Sequence, residues 1–557
     1  MTTADEPRRM TGGAAIVEAL VANGVDTVFG LPGAQMYPLF DALKLREDTV
    51  RTVGARHEQG CGYMAFGYAR STGRPGVYTV VPGPGVLNTT AALCTAYGCS
   101  SPVLCVTGQV PSAFIGRGRG HLHELPDQLA TLRTLTKWAE RIERVEDAPA
   151  IIDEAFRQML SGRPGPVAVE MAWDVMAGEA EVALRPAARP DPRPAIDGDV
   201  VARVARLLVD AEAPMIMVGS GAQHASDAVL ALAEALDAPV AAHRGGRGIV
   251  SEAHPLGIST YAAHRLWADT DVLLGIGSRL EMPYMRWTGM MRLVTRPEAP
   301  PRLVRLDIDP TEFDRLVPEI ALLADSEDGT RALLDAVRAL RATPRPGRRE
   351  AIARAKAEAR AAVEVVQPQM AYLDAIRAVL PEDGIYVNEL CQVGFASIYG
   401  WPVHAPRTYV SEGYQGTLGF GFPTALGVKV AHPDRAVVSV TGDGGFLFGV
   451  QELATAAQER IGLVTIIFNN ASYGNVMRDQ QERFGNRLIG STLENPDFPM
   501  LAKAFGVAGA RVSTPDGLAE ALKVALGRDG PTLIEVEVPQ GSETSPWPFL
   551  HPPARSA

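Results

Sequence analysis

A chain of 557 residues is too long for a single hydrophobic core and predicts about three to four domains. Hydrophobic residues make up 46% and charged residues 21%, and a net charge of -11 argues against a nucleic-acid partner. No apolar run reaches the roughly 18 residues of a membrane helix and no signal-peptide pattern opens the chain, so a cytoplasmic protein without membrane contact is expected. The cysteines Cys61, Cys94, Cys99, Cys105 and Cys391 contain no CxxC pair and read as reduced thiols.

In chain order, "AAIVEALVANGV" has helical spacing and leads into the strand "DTVFGLPG". The runs "TVGARHEQG", "GVYTVVPGPG", "PVLCVTGQVP" and "GPVAVEMAWDV" follow, each ended by Gly, Pro or a polar turn. The proline-rich stretch 184–199 then reads as a linker. A middle part repeats the style with "PMIMVGSGAQ", "APVAAHRGGRG", "DVLLGIGSRL" and "RLVRLDIDP". Residues 341–370 begin with a proline break and continue as a charged, alanine-rich helix. The last part carries "GIYVNEL", "AVVSVTGDGG", "LVTIIFNN" and "PTLIEVEVP". Short apolar strands separated by helices predict parallel sheets covered on both faces. The expected fold is therefore α/β, with three doubly wound parallel-sheet domains at 1–183, 199–342 and 369–541 and a tail at 542–557.

Ligands in such sheets sit beyond the carboxyl ends of the strands, where this chain places its glycine clusters. Within 437–470, a strand ends in Gly442-Asp443-Gly444-Gly445, a helix is expected over 446–460, and the next strand ends in Asn469-Asn470. Glycine lets backbone approach a ligand closely, and helix-start amides favour a phosphate. Asp443 would repel that phosphate unless a cation lies between them. A carboxylate, an amide oxygen, a backbone carbonyl and phosphate oxygens form a hard oxygen set suited to Mg2+. A pair of unrelated polar turns is the bland alternative, and the joint spacing disfavours it.

GDG, residues 445–468 and then NN resemble the diphosphate and metal motif of thiamine diphosphate enzymes. The resemblance implies that Asp443, Asn470 and the backbone carbonyl of Ser472 hold Mg2+ on the cofactor's diphosphate. It also implies cofactor contacts from Gly442, Gly444, Gly445 and Tyr473. "RHEQGCGYMAFGYAR" (56–70) looks like the family's activating-glutamate segment, which makes Glu58 the catalytic carboxylate on the aminopyrimidine ring; a helix-capping Glu is the alternative. "GYQGTLGFGFPTALG" (413–427) resembles the segment under the bent cofactor, with the Gly416 carbonyl as acceptor and Leu418 as the wedge between the rings. The domain order, together with "VFGLPG", "GPGVLN", "GQVP", "LDIDPTEF" and "NPDF", is similar to the acetolactate synthase and pyruvate oxidase branch. That branch implies a homodimer or homotetramer with active sites at the subunit interface.

The substrate pocket departs from the branch. Leu122-His123-Glu124 stands where acetolactate synthases carry Phe-Gln-Glu, so His123 reads either as a general acid or base or as a loop histidine in "GRGRGHLHELPD". Arg478-Asp479-Gln480 replaces a Gln-Trp-Gln segment, while Asn475, Val476 and Gln35 are expected to line the pocket with Asp479. Gly219, Gly221, Arg244, Gly245, Arg247, Arg279 and Asp307 occupy loops where relatives hold an adenine dinucleotide, leaving FAD, ADP or nothing open for the middle domain. The tail reads as a lid or a disordered end. The expected activity is decarboxylation of a 2-oxo acid such as pyruvate and transfer of the acyl-anion equivalent to a carbonyl acceptor. A 2-hydroxyacyl-CoA or acyloin lyase, a simple decarboxylase and a non-catalytic subunit are the rivals.

Overall fold

The structure, a computed structural model, describes residues 7–287, 301–340 and 345–552. The expected proline break at 341–344 and the tail's last residues, 553–557, lie outside the described residues.

The first six-stranded sheet consists of β1 (Thr27–Gly30), β2 (Arg51–Gly54), β3 (Gly76–Val80), β4 (Val103–Gln109), β5 (Trp138–Ile142) and β6 (Val167–Ala172), in the order β2-β1-β3-β4-β6-β5. The middle sheet consists of β7 (Met215–Val218), β8 (Val240–Ala242), β9 (Gly257–Ile258), β10 (Val272–Ile276), β11 (Arg302–Asp307) and β12 (Ile320–Leu323), in the order β9-β8-β7-β10-β11-β12. The third consists of β13 (Ile385–Asn388), β14 (Tyr409–Val410), β15 (Val437–Gly442), β16 (Val464–Asn469), β17 (Ala508–Val512) and β18 (Thr532–Glu537), in the order β14-β13-β15-β16-β18-β17. Every pairing in these sheets is parallel. The central strands are buried along their length, as β4 and β15 show, which explains their unbroken apolar runs.

The first and third sheets share one strand order, a duplication that the sequence does not display. In both, the order reverses beside the first strand, between β1 and β3 and between β13 and β15. Crevices at such switch points are the ligand sites of open α/β sheets.

First and third domains share one apolar core. Helix α1 (Glu58–Thr72) crosses α3 (Gly421–Ala431), with α2 (Gln392–Gly400) preceding α3 in the chain. A Cβ at Gly427 would lie 1.9 Å from the Met64 carbonyl oxygen, and one at Gly67 2.1 Å from that of Thr424. Glycine is therefore required at both crossing points. The middle domain has a separate core.

The helix expected over 446–460 is not continuous. A single turn over Asp443–Phe446 is followed by a 3-10 turn at Val450–Glu452 and a helix over Leu453–Gln458. Gly449 interrupts it where the chain presses on Pro423, 2.8 Å from a Cβ placed there.

Candidate active site

One group of residues gathers in the loops and helix starts that follow β1, β2, β3 and β4. Glu58 is the first residue of α1, presented by the N-cap His57, whose Nδ1 accepts from the Gln59 N–H at 3.1 Å. Asn88 Nδ2 donates to Glu58 Oε2 at 3.0 Å. Gln35 is 2% exposed, in a left-handed conformation (φ 69°), and its Nε2 donates to the Leu122 carbonyl at 2.7 Å. Its Oε1 meets His123 Nδ1 at 2.6 Å. Because that amide oxygen only accepts, His123 carries its proton on Nδ1 and keeps the Nε2 lone pair. Burial lowers the His123 pKa below the usual range, opposed by the nearby charge of Glu58, so the ring is neutral at pH 7. His121 instead packs on Phe114, with ring centroids 5.2 Å apart.

A second group gathers at the ends of β15 and β16. Asp443 is 2% exposed, and burial raises its pKa. Its Oδ2 accepts from Asn495 Nδ2 at 2.7 Å, and the same nitrogen donates to Asn469 Oδ1 at 2.9 Å. Asn470 Oδ1 accepts from the Ser472 N–H at 3.1 Å and the Ser472 hydroxyl at 3.0 Å. The glycines serve the chain's own packing as well as any ligand. A Cβ on Gly444 would lie 2.4 Å from the Tyr473 ring, and one on Gly445 2.6 Å from Glu389 Oε1. Gly416 has φ 62°, and Leu418 follows it in a half-exposed loop.

Two buried carboxylates absent from the motif reading hold these groups in place. Glu389, at the end of β13, accepts from the Gly419 N–H at 2.5 Å, the Gly421 N–H at 3.1 Å and the Thr441 hydroxyl at 2.7 Å. It ties the Leu418 loop to the strand that carries Asp443. Glu452, from the third domain, accepts from the N–H groups of Arg56 and His57 at 3.0–3.1 Å and from the Thr455 hydroxyl at 2.6 Å. It fixes the turn that presents Glu58. The ending "NEL" on an apolar strand is the signal that points to Glu389, as GDG points to Asp443; Glu452 sits in "VQELATAAQ" with only its place among apolar residues to mark it.

The second group suits a hard cation: its donors are all oxygen, and Asn495 Oδ1 is buried beside Asp443 without a partner. Among the described residues, no hydrogen bond or ion pair joins the two groups within the chain. The sequence matches the family models of the thiamine pyrophosphate enzyme N-terminal TPP binding domain over residues 10–131, central domain over 201–333 and C-terminal TPP binding domain over 391–536. It is 36% identical to a probable 2-ketoarginine decarboxylase of Pseudomonas aeruginosa, over 95% of this chain and 94% of that protein. It is 35% identical to a probable acetolactate synthase large subunit of Methanocaldococcus jannaschii, over 95% and 92% of the two chains. With the acetolactate synthase isozyme 1 large subunit of Escherichia coli it shares 29% identity over 99% and 98%. The chain belongs to the thiamine pyrophosphate enzyme family.

Within this thiamine pyrophosphate enzyme, three of the expected pocket residues, Asn475, Val476 and Asp479, lie on helix α4 (Gly474–Arg483), while Gln35 and His123 belong to the first group. Val476 is 50% exposed, and Asp479 faces Arg483 at 3.4 Å. In the middle domain, Gly219 and Gly221 pack against Gly277, and Arg279 stacks on Tyr414 at 4.4 Å. Arg247 is buried against Glu252 and the carbonyls of Ser397 and Trp401, so its guanidinium serves the junction with the third domain. Burial pushes Asp307 up to about 6. A small cavity of about 20 Å³ lies between Met217, His243, Glu281 and Trp287.

The tail is folded: a short helix over Trp547–Leu550 lies on α2, with Trp547 against Phe395 (5.2 Å) and Phe549 against Tyr399 (5.5 Å). Its indole N–H donates to Asn475 Oδ1, so the tail covers the start of α4. His551 Nε2 accepts from Arg286 Nη1 at 3.0 Å, and burial together with the Arg286 charge pushes His551 down to about 4. Ordinary histidine titrates near 6.5. A released tail therefore binds a proton that the docked tail refuses, and docking is fully stable above that value and lost as pH falls toward about 4. Trp547 fluorescence is expected to report this release on acidification, and His551→Gln to remove most of its pH dependence.

Proposed function

We propose that this thiamine diphosphate enzyme uses Mg2+ to decarboxylate a 2-oxo acid such as pyruvate and to pass the acyl unit to a carbonyl acceptor, in the manner of an acetolactate synthase. The observation that carries the reading is the oxygen cluster of Asp443, Asn470 and Ser472 at the carboxyl ends of the neighbouring strands β15 and β16, in a chain that also presents Glu58 at a helix start. Asp443, Asn470 and the Ser472 carbonyl would hold Mg2+, and Gly442, Gly444, Gly445 and Tyr473 would border the diphosphate. The Gly416 carbonyl and Leu418 would support the rings. Bound thiamine diphosphate supplies the electron sink that stabilises an acyl carbanion equivalent. Glu58, oriented by Asn88, would hold or release a proton toward the aminopyrimidine ring of the bound cofactor. His123, neutral and with its lone pair on Nε2, takes or returns a proton at the reacting carbonyl. Gln35 fixes that tautomer. Asn475, which the tail covers, and the more exposed Val476 and Asp479 would meet the substrate side chain.

Decarboxylation followed by carbonyl addition is redox-neutral, so the reaction needs no electron carrier from the middle domain. We read the sites as joining Glu58 of one subunit to Asp443 of the next, in a homodimer or homotetramer, as the resemblance to the acetolactate synthase branch implies. A cytoplasmic setting and domain limits of 1–183, 199–342 and 369–541 belong to the same reading.

A second reading ends in protonation of the acyl unit. The decarboxylase named among the relatives supports it, and Asp479, which pairs with Arg483 at 3.4 Å, would be the carboxylate offered to a cationic substrate chain. NMR analysis of products from pyruvate and from a guanidino 2-oxo acid, each with and without aldehyde or 2-oxo acid acceptors, separates the two. Acetolactate or a mixed acyloin establishes transfer. An aldehyde alone, in every mixture, establishes the second reading and removes the first.

A further inference from the structure

The cation site of the third domain holds a carboxylate to which neither the motifs nor the proposed reaction gives a role. Residues 538–547 run back along the loop that carries Asn470. The Val538 N–H donates to the Asn469 carbonyl at 2.9 Å, Gln540 Nε2 donates to the Ala471 carbonyl at 2.9 Å, and Trp547 reaches Asn475. Between these anchors Glu543 turns inward, and its Oε2 accepts from Asn470 Nδ2 at 2.6 Å. Arg478 Nη2 donates to the backbone carbonyl of residue 543 at 3.1 Å, while Nη1 donates to Gln392 Oε1 at 3.1 Å. This arginine thus fixes where the tail crosses the site and is hydrogen-bonded to the backbone of Glu543 rather than to its carboxylate.

Asn470 is consequently gripped at both ends of its amide, by Ser472 on the oxygen and by Glu543 on the nitrogen. Two acidic side chains thus belong to this corner of the domain, Asp443 at the end of β15 and Glu543 through its bond to Asn470 at the end of β16. Two like charges brought together by a closing segment repel, and a divalent ion between them reverses the sign. The second carboxylate arrives on a piece of chain far from the motif, and that piece also carries the cover of the substrate pocket.

We propose that Glu543 is an additional acidic group of the Mg2+ site, acting on the ion directly or through a bound water, and that it couples docking of the C-terminal segment to arrival of the divalent cation. The proposal rests on the reading of Asp443, Asn470 and Ser472 as the cation site. Mg2+ commonly keeps several waters alongside one or two carboxylates, so a second acidic group suits its chemistry. Asn470 stays oriented by Ser472, and the ion draws Glu543 and the residues around it onto the site.

The test uses the full-length protein with saturating thiamine diphosphate and Mn2+ as the probe. Bound Mn2+ is followed by electron paramagnetic resonance, and the tail by hydrogen exchange over residues 538–551. In the wild-type protein Mn2+ is expected to slow exchange across that segment. Glu543→Gln, which keeps an oxygen to accept from Asn470, is expected to weaken Mn2+ binding roughly 10- to 100-fold and to make tail exchange indifferent to the ion. Glu543→Asp should recover part of both. If Glu543→Gln binds Mn2+ as the wild type does while Asp443→Asn loses it, the role of Glu543 is overturned and the cation site stands. If Asp443→Asn also leaves Mn2+ binding unchanged, the cation-site reading fails and the proposal falls with it.

Discussion

Glu58→Gln is expected to lower kcat by about 10²- to 10⁴-fold while thiamine diphosphate binds with unchanged affinity. The carboxylate stands at the first residue of α1, where it accepts from Asn88 Nδ2 at 3.0 Å. Glutamine keeps that oxygen, the side-chain length and the helix start, so the local fold survives. What it loses is the ability to hold and release a proton, which a carboxylate facing a ring nitrogen needs. Isothermal titration calorimetry with the cofactor and steady-state turnover on the same preparation separate the two effects. Turnover within tenfold of wild type would remove Glu58 from the chemistry and return it to a capping role.

The second large effect belongs to a residue that would touch neither cofactor nor substrate. Glu452→Ala is expected to destabilise the protein by on the order of 3 kcal/mol and to reduce kcat by roughly 10²-fold. Its carboxylate accepts from two successive backbone N–H groups, of Arg56 and His57, and from the Thr455 hydroxyl, at a position 0% exposed. Removal strands those part-buried donors and frees the turn that aims Glu58. A merely structural role would reduce thermal stability and leave the kcat of the folded fraction alone. A positioning role depresses kcat at full cofactor saturation. Glu452→Gln discriminates further, because one of its two terminal atoms still accepts and the other cannot. It should recover stability in part and kcat in part, read by denaturant unfolding and by turnover.

Sequence patterning carried the architecture as far as burial reaches. The unbroken apolar runs are inner strands, together with β2 at one edge, and all of them were legible. Within the three parallel sheets, the strands that escaped were β5, β9, β12, β14 and β17, each at the edge of its sheet. An edge strand has one neighbour and one open side, so it can be as short as Tyr409–Val410 or carry the polar side chains of "WAERI" in Trp138–Ile142. In the candidate site, Asp443, Asn470 and Glu58 could be singled out because glycines and strand ends mark them locally. Glu452 and Glu543 were not, since their partners lie at Arg56 and Asn470, far along the chain, and only folding brings them together. His123 stood between two readings in the sequence; its bond to Gln35 shows how the ring is held, which loop composition could not.

Release of CO2 from a 2-oxo acid, dependent on added thiamine diphosphate and Mg2+, tests the assignment most directly. Purified protein incubated with pyruvate or a guanidino 2-oxo acid should release CO2 from at least one of them, and the release should disappear in Glu58→Gln and in Asp443→Asn. Cofactor bound with full affinity but no CO2 from any 2-oxo acid, or equal release from wild type and Glu58→Gln, would contradict it.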